Sequence, residues 1–183
     1  NAVMAICGGS AIDAAKAAEY HELYSALKMA GVEQIIGMSH YHYLPGAEST
    51  GTIQVPARDM SEGSEYRKFL EMYREMWRTL AAEFPEIKYW EMGNEHNHDP
   101  FLQPIGYTDG TNGVKPFTLE EKADITTDMM FYASKGIHEG NPEAITIMPP
   151  MAPVDGIDGV SITNYLERIY QNIESGNFGS TNP

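Results

Sequence analysis

Short apolar runs alternate with long amphipathic stretches along this chain, and the alternation predicts the elements in order. Ala2-Val3-Met4-Ala5-Ile6 reads as a buried strand followed by Gly8-Gly9. Ser10 is placed as an N-cap with Asp13 at N3, opening a helix to about Ala30 whose Leu23, Leu27 and Ala30 share a face and whose C′ position falls on Gly31. Gln34-Ile35-Ile36-Gly37-Met38 is a second short strand. A loop from about Tyr41 to Gly63 leads to a helix over Ser64–Phe84. There Phe69, Tyr73, Met76, Trp77, Leu80 and Phe84 recur at three- and four-residue steps, with Pro85 as the breaker. Ile87-Lys88-Tyr89-Trp90-Glu91 is a third strand. A polar loop over Asn94–Phe117 follows, then a helix opened by the capping box Thr118/Glu121 and ending near Gly140. Ile145-Thr146-Ile147-Met148 is a fourth strand, and a fourth helix spans about Ile162 to Ser175, closed by Gly176.

Strand and helix alternating four times imply a parallel sheet with right-handed crossovers. Two α/β architectures satisfy that order, a doubly wound open sheet and a (β/α)₈ TIM barrel. The open sheet favours a glycine-rich phosphate loop after its first strand. Cys7-Gly8-Gly9-Ser10 lacks both G-x-G-x-x-G and the P-loop lysine, so a tight strand-to-helix turn is the better reading, and no cofactor is implied. The four units average roughly 46 residues, and eight would need about 370, within the range of barrels with long loops. The expectation is one catalytic barrel, incomplete at both ends, of which residues 1–183 are about half.

Composition narrows the partners. Of the 183 residues, 42% are hydrophobic, enough for a core, and the net charge of −14 with a pI near 4.7 disfavours nucleic acid and anionic membranes. Neutral small molecules and glycans remain. Cys7 is the one cysteine, so no internal disulfide framework exists. No apolar run has the length of a membrane span and no signal peptide is evident, although the chain starts at Asn1. Secreted and cytoplasmic locations both fit.

In a barrel the chemistry gathers at the C-terminal strand ends. Those ends hold Ser39-His40-Tyr41-His42, Gly93-Asn94-Glu95-His96-Asn97-His98-Asp99 and Pro149-Pro150-Met151. Glu95 is the central candidate. Cleaving a glycosidic bond needs a proton delivered to the leaving oxygen, and a carboxylic acid desolvated by neighbours such as Trp90 and Met92 suits that task. Asn94 offers a donor and an acceptor to a sugar hydroxyl. His40 and His42 end the adjacent strand and are candidate sugar contacts, as is His96 just past Glu95. Tyr41, Tyr43 and Trp90 offer aromatic surface to a sugar face. His98-Asp99 reads rather as loop structure, and the methionines of the helices, including Met72, Met76, Met129 and Met130, as core filler.

The run Tyr89-Trp90-Glu91-Met92-Gly93-Asn94-Glu95 resembles the fourth-strand motif of the retaining glycoside hydrolases of clan A, families 39, 51, 30 and 79 among them. The resemblance implies that Glu95 is the general acid/base, that Asn94 contacts the sugar 2-hydroxyl, and that the strands here are barrel strands two to five. It further implies a nucleophilic Glu at the end of strand seven, for which these residues offer no candidate. Glu91, four residues earlier, is expected to point into the lower barrel with structural contacts. A carbohydrate is then the substrate, and an isolated half would pair with the rest of the barrel or with a second copy. Two other readings stay open. One is a metal-dependent barrel hydrolase using His40/His42 and His96/His98 with Glu95 and Asp99. The other is a non-catalytic carbohydrate-binding barrel.

Overall fold

The computed structural model describes residues 7–8, 11–38, 53–98, 101–108, 111–153 and 162–178. The expected strand over Ala2–Ile6, together with His40, Tyr41, His42, Tyr43 and Asp99, lies outside them. Among the described residues the chain is α/β, with parallel strands and four helices.

β1 (Cys7–Gly8) pairs antiparallel with β2 (Ala11–Ile12), so the glycine-containing turn folds into a small hairpin instead of feeding a helix directly. The cap of α1 (Ala14–Met29) shifts accordingly. Asp13, not Ser10, is the N-cap, its carboxylate accepting from the amides of Ala15 at 2.9 Å and Lys16 at 3.1 Å. At the other end Gly31 takes φ +88°, and the amides of Gly31 and Val32 return to the carbonyls of Lys28 and Leu27, which satisfies the last turn.

Three strands form the main sheet. β3 (Ile36–Met38), β5 (Tyr89–Glu91) and β7 (Ile145–Ile147) run parallel in that order, with Met38, Glu91 and Ile147 in register. Residues in register share a face. One face carries Gly37, Trp90 and Thr146, the other Ile36, Met38, Tyr89, Glu91, Ile145 and Ile147. The first face belongs to the helices. The Trp90 ring meets Trp77 of α2 (Glu65–Glu83) edge-on at 6.0 Å. Thr146 Oγ1 lies 3.5 Å from Ser134 Oγ on α3 (Leu119–Gly140). Tyr20, Leu23, Tyr24 and Leu27 of α1 enclose, with Ile35, Gly37 and Trp90, an apolar cleft of about 140 Å³. The apolar stripe expected of α1 is therefore only partly seated, and Leu23 stays 51% exposed. On the second face Ile36, Met38 and Ile145 are exposed.

Two further strands lie inside stretches expected to be loop. β4 (Ile53–Val55) and β6 (Leu102–Pro104) pair parallel, and Ile53, Val55 and Leu102 are wholly buried. The clusters of glycine and proline around these three-residue strands outweigh their apolar pattern on a linear reading.

α2 and α3 form the main helix pair. The stripe Tyr66, Phe69, Leu70, Tyr73, Met76, Trp77, Leu80 and Ala81 is buried, as its period requires. α2 begins at Ser64, whose hydroxyl accepts from the Arg67 amide, and α3 begins with the expected capping box of Thr118 and Glu121. Their axes approach closely because Gly136 and Gly140 face the α2 backbone at Arg74 and Arg78. Two ion pairs tie the ends of this layer. Arg58, after β4, binds the buried Asp128 of α3 at 2.7 and 3.3 Å, and Tyr66 donates to the same carboxylate at 2.8 Å. Arg168 and Asn172 of α4 (Ile162–Ser175) hold Asp124. No helix among the described residues is long and apolar enough to cross a membrane.

A Cβ added at Gly136 would collide with the Arg74 carbonyl, backbone that cannot step aside. Gly136→Ala is expected to destabilise the chain by about 1–3 kcal/mol despite alanine's better helix propensity, read as a lower urea midpoint. A variant as stable as the parent would mean that the helices sit farther apart.

Candidate functional site

The end of β5 builds the site. Met92 extends the sheet by one bond, its amide reaching the Ile147 carbonyl at 3.0 Å, while the Tyr73 hydroxyl donates to the Met92 carbonyl at 3.3 Å. The chain then turns. Gly93 has φ +118° and its amide folds back to the Glu91 carbonyl at 3.0 Å. Two residues later Glu95 takes φ +48°, the one non-glycine residue with a left-handed backbone among those described. That conformation brings Cβ against the backbone and costs about 1–2 kcal/mol, so its surroundings must impose it. The Glu95 amide donates to the Pro150 carbonyl at 2.8 Å, and its carbonyl receives the His98 amide at 2.8 Å. Glu95 and Asn94 are both half-buried.

Beyond Glu95 the loop turns inward. His96 is 1% exposed, and burial, which penalises the charged ring, lowers its pKa to about 3. Its imidazole is neutral at physiological pH and presents no surface to a solute, contrary to its expected part as a sugar contact. Asn97, also buried, forms two bonds with one residue across the site. Its Nδ2 donates to the Ala152 carbonyl at 2.9 Å and its Oδ1 accepts the Ala152 amide at 2.9 Å. His98 is half-buried, its ring 5.9 Å from that of Phe101.

Trp90 is the clearest correction. Its side chain is 0% exposed and lies on the helix side of the sheet, with Met92 in the same core cluster. A sugar cannot stack on a ring sealed between Gly37 and Trp77. The two apolar neighbours expected around Glu95 are therefore core residues. Strand alternation alone puts Trp90 and Glu91 on opposite faces; what it leaves open is which face the helices take.

Glu91 faces the side opposite Trp90, between Met38 and Ile147 in register. Burial raises its carboxyl above the ordinary glutamate range. Two carboxylates thus rise from one strand end, one in a partly desolvated position and one on a left-handed turn. Among the described residues no three of His, Cys, Asp and Glu converge as metal ligands, and His40, His42 and Asp99 fall outside them.

Sequence reasoning passed over Asn97, Pro150 and Ala152. The available signal was that Asn97 follows Glu95 by two residues, where an amide side chain can continue hydrogen bonding that the turning backbone has given up. No protein-family model matches the chain, and no curated protein matches it.

The buried His96 gives a pH prediction. Because its folded value lies below its unfolded one of about 6.5, folding is unaffected by this group above that pH. Stability falls as pH drops from there towards about 3. Nitrogen-15 shifts of the His96 ring should stay those of the neutral form through pH 5; a ring that titrates near the ordinary histidine value would mean that it reaches water.

Proposed function

We propose that this chain is about half of a (β/α)₈ barrel that cleaves glycosidic bonds with retention, with Glu95 as general acid/base. The observation that carries the reading is Glu95 itself. It is a carboxylate held in a left-handed turn at the C-terminal end of the central strand, next to Asn94, within the motif that resembles clan A. Strain retained at a strand end by several converging bonds is a mark of functional positions.

The sheet supports the barrel half of the proposal. Among the described residues its order β3-β5-β7 follows the chain without reversal, and the helices pack on the face of Trp90 and Thr146. A doubly wound sheet reverses order and covers both faces. The same layout extended around a circle closes into a barrel whose lining includes Tyr89, Glu91 and Ile147. A closing set of strands, from further chain or a second copy, would cover Ile36, Met38 and Ile145.

In this mechanism Glu95 donates a proton to the leaving oxygen as the anomeric carbon is attacked by a second carboxylate supplied from outside these residues. It then takes a proton from the water that hydrolyses the glycosyl-enzyme. Asn94 binds the 2-hydroxyl. The substrate is a carbohydrate, and no cofactor enters the scheme. Glu91 stands below on the same strand, its carboxyl raised by burial.

In the assembled barrel Glu95→Ala is expected to lower kcat on glycosides with poor leaving groups by about 10²–10⁴. Aryl glycosides with good leaving groups should lose much less in the glycosylation step. Azide should restore part of the lost rate by taking the place of the activated water. Natural glycosides turned over by Glu95→Ala at the parent rate would defeat the assignment.

A further inference from the structure

β5 and β7 stop pairing as strands at Glu91 and Ile147, yet the hydrogen bonds between their continuations do not stop. The Met92 amide bonds the Ile147 carbonyl and the Glu95 amide bonds the Pro150 carbonyl. Asn97 then pairs with both the amide and the carbonyl of Ala152, each at 2.9 Å. A carboxamide side chain carries the same donor and acceptor as a peptide group. Asn97 thus replaces a strand peptide after the backbone has turned away, and extends the β5–β7 ladder past the left-handed residue. Both partners are sealed from water, Asn97 at 4% and Ala152 at 3% exposure, so water cannot take over these bonds without opening the loop.

We propose that Asn97 is a positioning residue: its two bonds to Ala152 lock the loop after β5 to the segment after β7, and this lock holds Glu95 in its left-handed conformation. The catalytic part of the proposal rests on the reading of Glu95 as acid/base; the lock itself does not. The bond from the Glu95 amide to Pro150 ties the residue across to the segment after β7 at one point, and the bond from the His98 amide to its carbonyl stays within the loop. Without a second point two residues on, rotation about φ relieves the backbone strain and swings the Cα–Cβ bond to a new direction. Asparagine is specific here. Aspartate keeps an acceptor for the Ala152 amide but sets a second oxygen against the Ala152 carbonyl, and alanine offers neither group.

The test compares Asn97→Ala and Asn97→Asp with the parent chain by amide hydrogen exchange and by the Cα and Cβ carbon shifts of Glu95. In Asn97→Ala, exchange at Ala152 and Glu95 should rise at least about tenfold relative to amides of α2 and α3, since the protecting bonds are local. The Glu95 shifts should leave their left-handed values. Asn97→Asp, which keeps only the acceptor for the Ala152 amide, should also raise exchange at Ala152 and Glu95, and it decides the matter if the alanine variant does not fold. In the assembled enzyme Asn97→Ala should lower kcat up to about 10²-fold with KM nearly constant, as expected of a displaced but intact acid/base. A folded variant with parental exchange and parental Glu95 shifts overturns the lock. Full turnover of natural glycosides by Glu95→Gln removes the acid/base reading instead, and the exchange data still decide the lock.

Discussion

The contact between Trp90 and Gly37 orders the rest of the molecule. A side chain at residue 37 would bring its Cβ within 2.6 Å of the Trp90 ring, so the indole lies flat across the neighbouring strand only because that strand has no side chain there. Filled in this way, one side of the sheet is closed to everything but the helices. Trp77 seals the ring from above, and truncating either tryptophan would remove packing worth about 3–5 kcal/mol. Once Trp90 is committed, alternation commits Glu91 to the opposite face and Gly93–Glu95 to the open end of the strand. The position of the candidate acid/base is thus fixed by a residue buried on the opposite face.

Much of this fold was legible because helices announce themselves. The stripe from Phe69 to Phe84, the Thr118 capping box and the Gly31 terminator each express a local rule, and each agrees with the structure. The main strands were legible as apolar runs bounded by breakers. β4 and β6 were not, since three residues that pair with a partner about fifty positions away leave no local period to read. The Ser10 cap failed for a similar reason. Ser10 and Asp13 are both good caps, and the choice fell to the β1–β2 hairpin, which uses the intervening residues.

The candidate site was legible in part. Its position at a strand end and its Asn-Glu pair came from the sequence motif. Trp90 was misassigned because aromatic residues suit both a core and a sugar face, and the choice belongs to tertiary packing. His96 was misassigned because nothing in a polar run such as Asn94 to His98 reveals which side chains turn inward. Asn97 was overlooked because its partner, Ala152, contributes only backbone, which carries no signature in the sequence. The Arg58–Asp128–Tyr66 cluster, built on the buried Asp128 and Tyr66, escaped notice for the opposite reason: three ordinary polar residues become a unit only when a loop, α2 and α3 meet.

The β4–β6 pair has a consequence for how the loops after the main-sheet strands can change. The two strands come from excursions after successive main-sheet strands, and each supplies the other's hydrogen bonds through Ile53 to Phe101 and Ile105 to Val55. A one-residue slip between them would turn the buried Ile53 and Val55 outward, so the register of this short pair is fixed from both sides. The two excursions are thereby tied to each other where these strands meet.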